Sequence, residues 1–238
     1  MLLTRFAFSI ALCFITTISF CQPNNEKFTG VGIFKIGTDT SILINYASTH
    51  VQYIRDCDDY ENYDYVKVAN MSQLVRLKTN SDPTRQIWDL SLCPDVSEYF
   101  LTAYEVAGIT IKNIRLKYFK NKLVDFDSDA SMEITDALKL KYGQPKLTVT
   151  QTTYNCLYKL TGLTKPLIAK TYQEEWVNNT ISATSLLWET YDDHCEKQIN
   201  RSFHYYITNQ QLKQCEDSYR VKSENNTKKQ QIKNLKDF

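Results

Sequence analysis

The chain has 238 residues, 28 lysines and arginines against 27 aspartates and glutamates, and 42% apolar side chains. That is enough length and apolar content for one sizeable core or for two small ones that share an interface. The even charge gives no basis for a polyanion partner, so nucleic acid is excluded as the expected ligand.

The first 21 residues, MLLTRFAFSIALCFITTISFC, have a basic start at Arg5, an apolar run from Phe6 to Ile15 and a more polar end at Cys21. This is the layout of a secretory signal peptide. Ser9, Thr16, Thr17 and Ser19 interrupt the run, which falls short of the roughly 20 apolar residues a spanning helix needs. No transmembrane segment is expected in the mature chain. Cleavage after Cys21 would leave 27 charges of each sign. Lipidation of Cys21 is disfavoured by the bulk of Phe20 just before it. The expected destination is secreted or periplasmic.

Residues 22–220 read as an α+β domain, with a mainly antiparallel sheet and two or three short helices packed on one face. "GVGIFKIG", residues 30–37, predicts a short strand, and Thr38, Asp39 and Thr40 offer caps to a helix beginning near Ser41. "YVKVA" and "QLVRLKT", between Tyr65 and Thr79, alternate as an antiparallel hairpin would. After the breaker "NSDPTRQ", "SEYFLTAYEVA" resumes strand character. In "GITIKNIRLKYF" the apolar positions change parity at Asn113, which predicts a β-bulge. Residues 109–127 form a further hairpin, a second helix follows, and strands are expected over 152–160, 171–177, 182–191 and 201–208. The order of helix then antiparallel strands occurs from Ser41 and again from Ser131, so two halves of about 22–145 and 146–220 are expected. Residues 221–238 are a polar, lysine-rich tail, read as loose and solvated.

Five cysteines lie beyond the leader: Cys57, Cys93, Cys156, Cys195 and Cys215. In an exported protein they predict disulfides, and the odd count leaves at least one cysteine free or paired with another molecule. Several pairings are open. Cys195 with Cys215 is favoured because both flank one strand region, and Cys156 in "YNCLYKL" reads equally well as a core thiol.

"DFDSDASMEITD", residues 125–136, comes closest to a chemical motif. Asp125, Asp127, Asp129, Glu133 and Asp136 fall at calcium-loop intervals. Ala130 stands where such a loop requires glycine, Asp136 replaces the bidentate glutamate, and a strand feeds the segment where an EF-hand has a helix. The residues serve a structural reading better. Asp125 and Asp127 share one solvated strand face while Val124 and Phe126 point inward; Ser128 or Asp129 caps the helix; Gly143 ends it. No metal or cofactor is therefore assigned.

His194, Cys195, His204 and Cys215 lack zinc-ligand spacing. Asp192, Asp193 and His204 have no activated nucleophile beside them in sequence, so no catalytic residue is assigned. Trp88, Trp176 and Trp188, with Tyr60, Tyr63 and Tyr65, would suit either a core or a sugar- or peptide-binding surface.

At "GIFKIGTDTSILINYA" and "IRLKYFKNKLVDF" the chain resembles exported bacterial proteins of the SmpA/OmlA and β-lactamase-inhibitor-protein-like architecture, over roughly residues 30–145. The resemblance implies action through protein surfaces in envelope assembly or inhibition, and carries over no functional residue. The expected function is a secreted or periplasmic, non-catalytic binding protein that contacts a protein or cell-envelope component. The alternative is a secreted hydrolase with a dispersed acidic or histidine site.

Overall fold

The computed structural model describes residues 26–57, 72–77, 91, 93–157, 162, 164–178, 180–192 and 194–235. The expected leader, the acidic stretch after Cys57, "YVKVA", Tyr60, Tyr63, Tyr65 and Trp88 lie outside them.

Among the described residues the elements are β1 (Gly30–Val31), β2 (Phe34–Lys35), α1 (Thr40–His50), β3 (Tyr53–Cys57), β4 (Gln73–Leu77), β5 (Val96–Val106), β6 (Ile109–Phe119), β7 (Lys122–Asp129), α2 (Met132–Tyr142), β8 (Lys146–Leu157), β9 (Thr164–Asn178), β10 (Ile181–Tyr191), β11 (Lys197–Ile207) and α3 (Gln210–Leu235). This is the expected α+β class. Strands β3 to β11 form one sheet in the order β3-β4-β5-β6-β7-β11-β10-β9-β8. Each half ends in a strand that reaches the centre, where β7 and β11 pair antiparallel from Asp125↔Tyr206 to Asp129↔Ser202. The two halves thus share one sheet.

Period-two alternation sets the two faces. Leu101, Ile111, Ile114, Leu116, Phe126, Phe203 and Tyr205 project to one side, where Leu43 and Ala47 of α1 and Ile134 and Leu138 of α2 cover them. Both helix pairs have the i, i+4 spacing of a buried stripe. Ring edges complete this core: Phe126 stacks on Tyr205 at 4.5 Å, and Phe34 meets Tyr104 edge-on at 4.8 Å.

The stretch predicted as one strand over 30–37 is instead a minimal hairpin of β1 and β2. Gly32 turns it at φ +56°, and a Cβ there would collide with the Tyr104 hydroxyl. The turn is clamped by core tyrosines: Ile33 N–H donates to Tyr104 Oη, Val31 N–H to Tyr205 Oη, and Tyr205 O–H in turn to the Phe34 carbonyl. Two hydroxyls that would be costly to bury thereby find partners.

Helix α1 starts at the expected cap, with Asp39 Oδ1 accepting from Ser41 N–H at 3.0 Å. Helix α2 does not: its cap is Ser131, which accepts from Ile134 N–H, whereas Ser128 and Asp129 still belong to β7 and pair with Phe203 and Ser202. Pairing with β11 holds the chain extended for two residues more than the local sequence suggests. Ser131→Ala is accordingly expected to lower stability by about 1 kcal/mol, read from a denaturant midpoint, and Asp129→Ala by less. Gly143 ends α2 at φ 83°, as predicted.

Other expectations are corrected. β4 runs parallel to β3 and antiparallel to β5, so its described partners are not the hairpin mate predicted for it. The parity change at Asn113 is present, with φ +54° there, but β5 changes parity opposite it between Leu101 and Tyr104, and the β5–β6 register is continuous. The register shift falls instead between Lys117 and Tyr118. It turns Val124 away from the main core into a smaller cluster with Cys93, Val96 and Phe119, on the face opposite α1 and α2. There α3 docks through Leu212 and Cys215. The tail expected to be loose from residue 221 continues this helix to Leu235.

The cysteine pairing also differs from the one favoured above. Cys93 joins Cys215 and Cys156 joins Cys195, with Cα separations of 5.6 and 5.9 Å. Cys195 lies in the β10–β11 turn and Cys215 in α3, so all of β11 stands between them, about 35 Å of extended chain. Cys156 is a bridge member and not a core thiol. Two disulfides are what an oxidising compartment maintains. Among the described residues no helix is long and apolar enough to cross a membrane.

Candidate functional site

The face of the sheet opposite α1 and α2 is polar at its centre, because the residues between core-facing Phe126, Phe203 and Tyr205 are Asp125, Asp127, Ser202, His204 and Tyr206. Register lines these up in rows across the strands. Arg115 of β6, Asp127 of β7, His204 of β11 and Thr184 of β10 are successive neighbours. On one side run Lys117, Asp125 and Tyr206; on the other, Asp129, Ser202, Leu186 and Gln173. All of these but Tyr206 and Asp129 line an open trough of about 460 Å³ whose floor is the β7–β11 seam.

The charges in the trough are interlinked. Glu98 of β5 is fully buried and takes Arg115 Nη2 at 2.7 Å and Nε at 3.1 Å, while its other oxygen accepts from Ser91 N–H at 2.9 Å. A buried carboxylate is tolerable only with such partners. Lys117 Nζ lies 4.0 Å from Glu98 and 3.5 Å from Glu216 of α3, tying that helix to the trough rim. His204 Nε2 is 3.1 Å from Asp125 Oδ2, and its ring stacks on Tyr206 at 5.1 Å.

Partial withdrawal from water would lower the basicity of His204, but the hydrogen bond and charge of Asp125, helped by Asp127, outweigh it and raise the imidazole above its usual value. Asp127 is raised too, chiefly by desolvation and by the neighbouring Asp125, against the lowering influence of His204 and Arg115. Both shifts have the same sign in stability. A raised His204 contributes stability that is complete below its unfolded value, about 6.5, and lost as pH climbs through the folded value. Warming scans between about pH 5.5 and about pH 8.5 should show a melting temperature that declines in the wild type and declines less in His204→Gln. The effect is small, well under about 1 kcal/mol, because the pair is over a third exposed on the histidine side.

The calcium candidates are dispersed by this arrangement. Asp125 is engaged by His204, and Asp129 accepts from Asn113 Nδ2 at 2.5 Å. Glu133 lies in the first turn of α2, while Asp136 lines a different cavity on the helix side of the sheet. A strand cannot wrap a cation as a loop does. No group of three or more acidic, His or Cys side chains suited to a metal occurs among the described residues.

Of the other singled-out residues, Cys195 and Cys215 are bridged. Asp192 organises the β10–β11 turn by accepting from His194 N–H and Glu196 N–H, which lowers its own pKa. Trp176 is core, its indole N–H donating to the Gly143 carbonyl at 2.9 Å. Trp188 shares the trough face two residues along β10 from Leu186. Arg115, Lys117, Glu98, Gln173, Thr184 and Ser202 were not anticipated. The alternation of "RLK" in β6, beside that of Asp125 and Asp127 in β7, was the local sign of a charged outer face.

No protein-family model matches the chain, and no curated protein or solved structure is significantly similar to it.

Proposed function

We propose that the chain is a secreted or periplasmic, non-catalytic binding protein that holds a protein or cell-envelope component in the trough at the centre of its sheet. The observation that carries the reading is the open polar floor, where both charge signs, an aromatic ring and several hydroxyl and amide groups sit on rigid paired strands. Such a surface offers hydrogen-bond and charge complementarity over a broad contact. The leader-like start and the two disulfides support an exported location. The repeated order of helix and antiparallel strands, meeting at β7–β11, supports kinship with the inhibitor-like and envelope-assembly architecture at the level of fold alone.

A second reading, a hydrolase, draws on the juxtaposition of Asp125, Asp127 and His204. Against it, among the described residues the hydrogen bond of the His204 side chain goes to Asp125 and to no hydroxyl, so Ser202 and Thr184 lack an activating base.

The two readings separate by experiment. Thr184→Arg with Gln173→Lys changes the trough at two lining residues, neither of which pairs with Arg115 or Glu98. Binding predicts that the double variant melts close to the wild type and loses the envelope component that the wild-type chain retains on an affinity column. Turnover of an envelope substrate by the purified chain, abolished in His204→Ala, would replace binding by hydrolysis.

A further inference from the structure

Strand β8 is one edge of the nine-stranded sheet, and it lacks the devices by which exposed edges are kept from pairing. It pairs with β9 over twelve consecutive residues, from Lys146↔Glu175 to Leu157↔Thr164, without a register shift. Every residue in it is exposed except Cys156, which is half-buried. Between Leu147 and Leu157 it has no charge, proline or glycine, and threonine, valine and tyrosine dominate. The opposite edge differs in each respect: β3 has five residues, pairs in parallel, and carries Arg55 and Asp56.

We infer that β8 is a self-pairing edge that joins two copies of this chain antiparallel, β8 to β8, into one continuous sheet. Charge argues for a second copy as the occupant. The strand's single charged residue, Lys146, is at its very start, so an antiparallel pairing centred on Gln151 or Thr152 sets Lys146 far from its own symmetry mate and opposes only neutral side chains. Those centres also keep side chains of like face together, as a shared sheet requires. On the helix side Leu147 and Val149, now 57% and 46% exposed, would gain cover from the mate's strand.

The symmetry has a consequence for the trough. Edge-to-edge antiparallel pairing places the twofold axis perpendicular to the sheet, so each face of one copy continues into the same face of the other. Both troughs then open on one side. This rests on the binding reading only for its use: two sites on one rigid sheet would engage a repetitive surface with avidity.

The test uses the full chain with both disulfides formed. Light scattering on a sizing column is expected to give about twice the chain mass, and Thr150→Lys with Thr152→Lys to return it to the mass of one chain, since either centre brings the new lysines against each other or against themselves. Hydrogen exchange checks the same point without relying on mass: β8 amides should be protected in the wild type and exchange faster in the double variant, while β10 amides stay unchanged. A wild type that is monomeric at every concentration tried, or a dimer that the lysines leave intact, overturns the inference. Loss of the dimer with retention of trough binding would leave the two claims separately decided.

Discussion

Replacing Cys93 and Cys215 together by serine is expected to cost this protein about 4 to 5 kcal/mol, the largest effect of any change considered. The bridge spans 122 residues of sequence, so it removes more freedom from the unfolded chain than Cys156–Cys195, which spans 39. It also anchors α3, which among the described residues meets the sheet through Leu212 on the small cluster and Glu216 on Lys117. A guanidinium titration should therefore show a larger drop in midpoint for Cys93→Ser with Cys215→Ser than for Cys156→Ser with Cys195→Ser. Equal drops would mean that the cross-links act through local strain and not through chain entropy.

Arg115→Ala is the second large expectation, at about 3 kcal/mol. The loss comes less from the attraction removed than from the Glu98 carboxylate left behind, fully buried and, among the described residues, with a backbone N–H and a distant lysine as its remaining partners. Lys117→Ala, by contrast, should cost less than about 1 kcal/mol, since its contacts are longer and its side chain is partly solvated. If burial of an unpaired charge is the cause, Arg115→Met combined with Glu98→Leu should recover most of the stability lost in Arg115→Ala. Thermal melts of the four proteins decide it, with a fall of roughly 6 to 12 °C for the alanine variant.

The elements with strong local signals were legible from sequence. Leu43 and Ala47, or Ile134 and Leu138, mark helix faces by spacing alone. The Lys120–Asn121 turn, where both residues have positive φ, is bounded by two alternating runs that declare the β6–β7 hairpin. What local pattern could not reveal is which strands meet. Asp127 and His204 are 77 residues apart in sequence and become neighbours only because β11 returns to the centre of the sheet beside β7. The same distant pairing moved the α2 cap to Ser131 and separated Cys195 from Cys215.

The trough was therefore only half visible. Asp125 and Asp127 stood out by their spacing, which suggested a cation, yet the groups that define their chemistry, Arg115 and His204, come from the two flanking strands. Placed between those strands, the aspartates become part of a mixed-charge surface and lose the geometry of a metal loop. Glu98 gave no local sign of its burial, because the cover comes from Ser91 and Arg115.

A partner seated in the trough should be caught there by site-specific photo-crosslinking in the source cells. A photoreactive residue at Thr184, which lines the trough, should capture an envelope component, while the same residue at Leu140, 86% exposed on α2 across the sheet, should not. Capture from Leu140 with none from Thr184 would contradict the account and move the binding surface to the helical face.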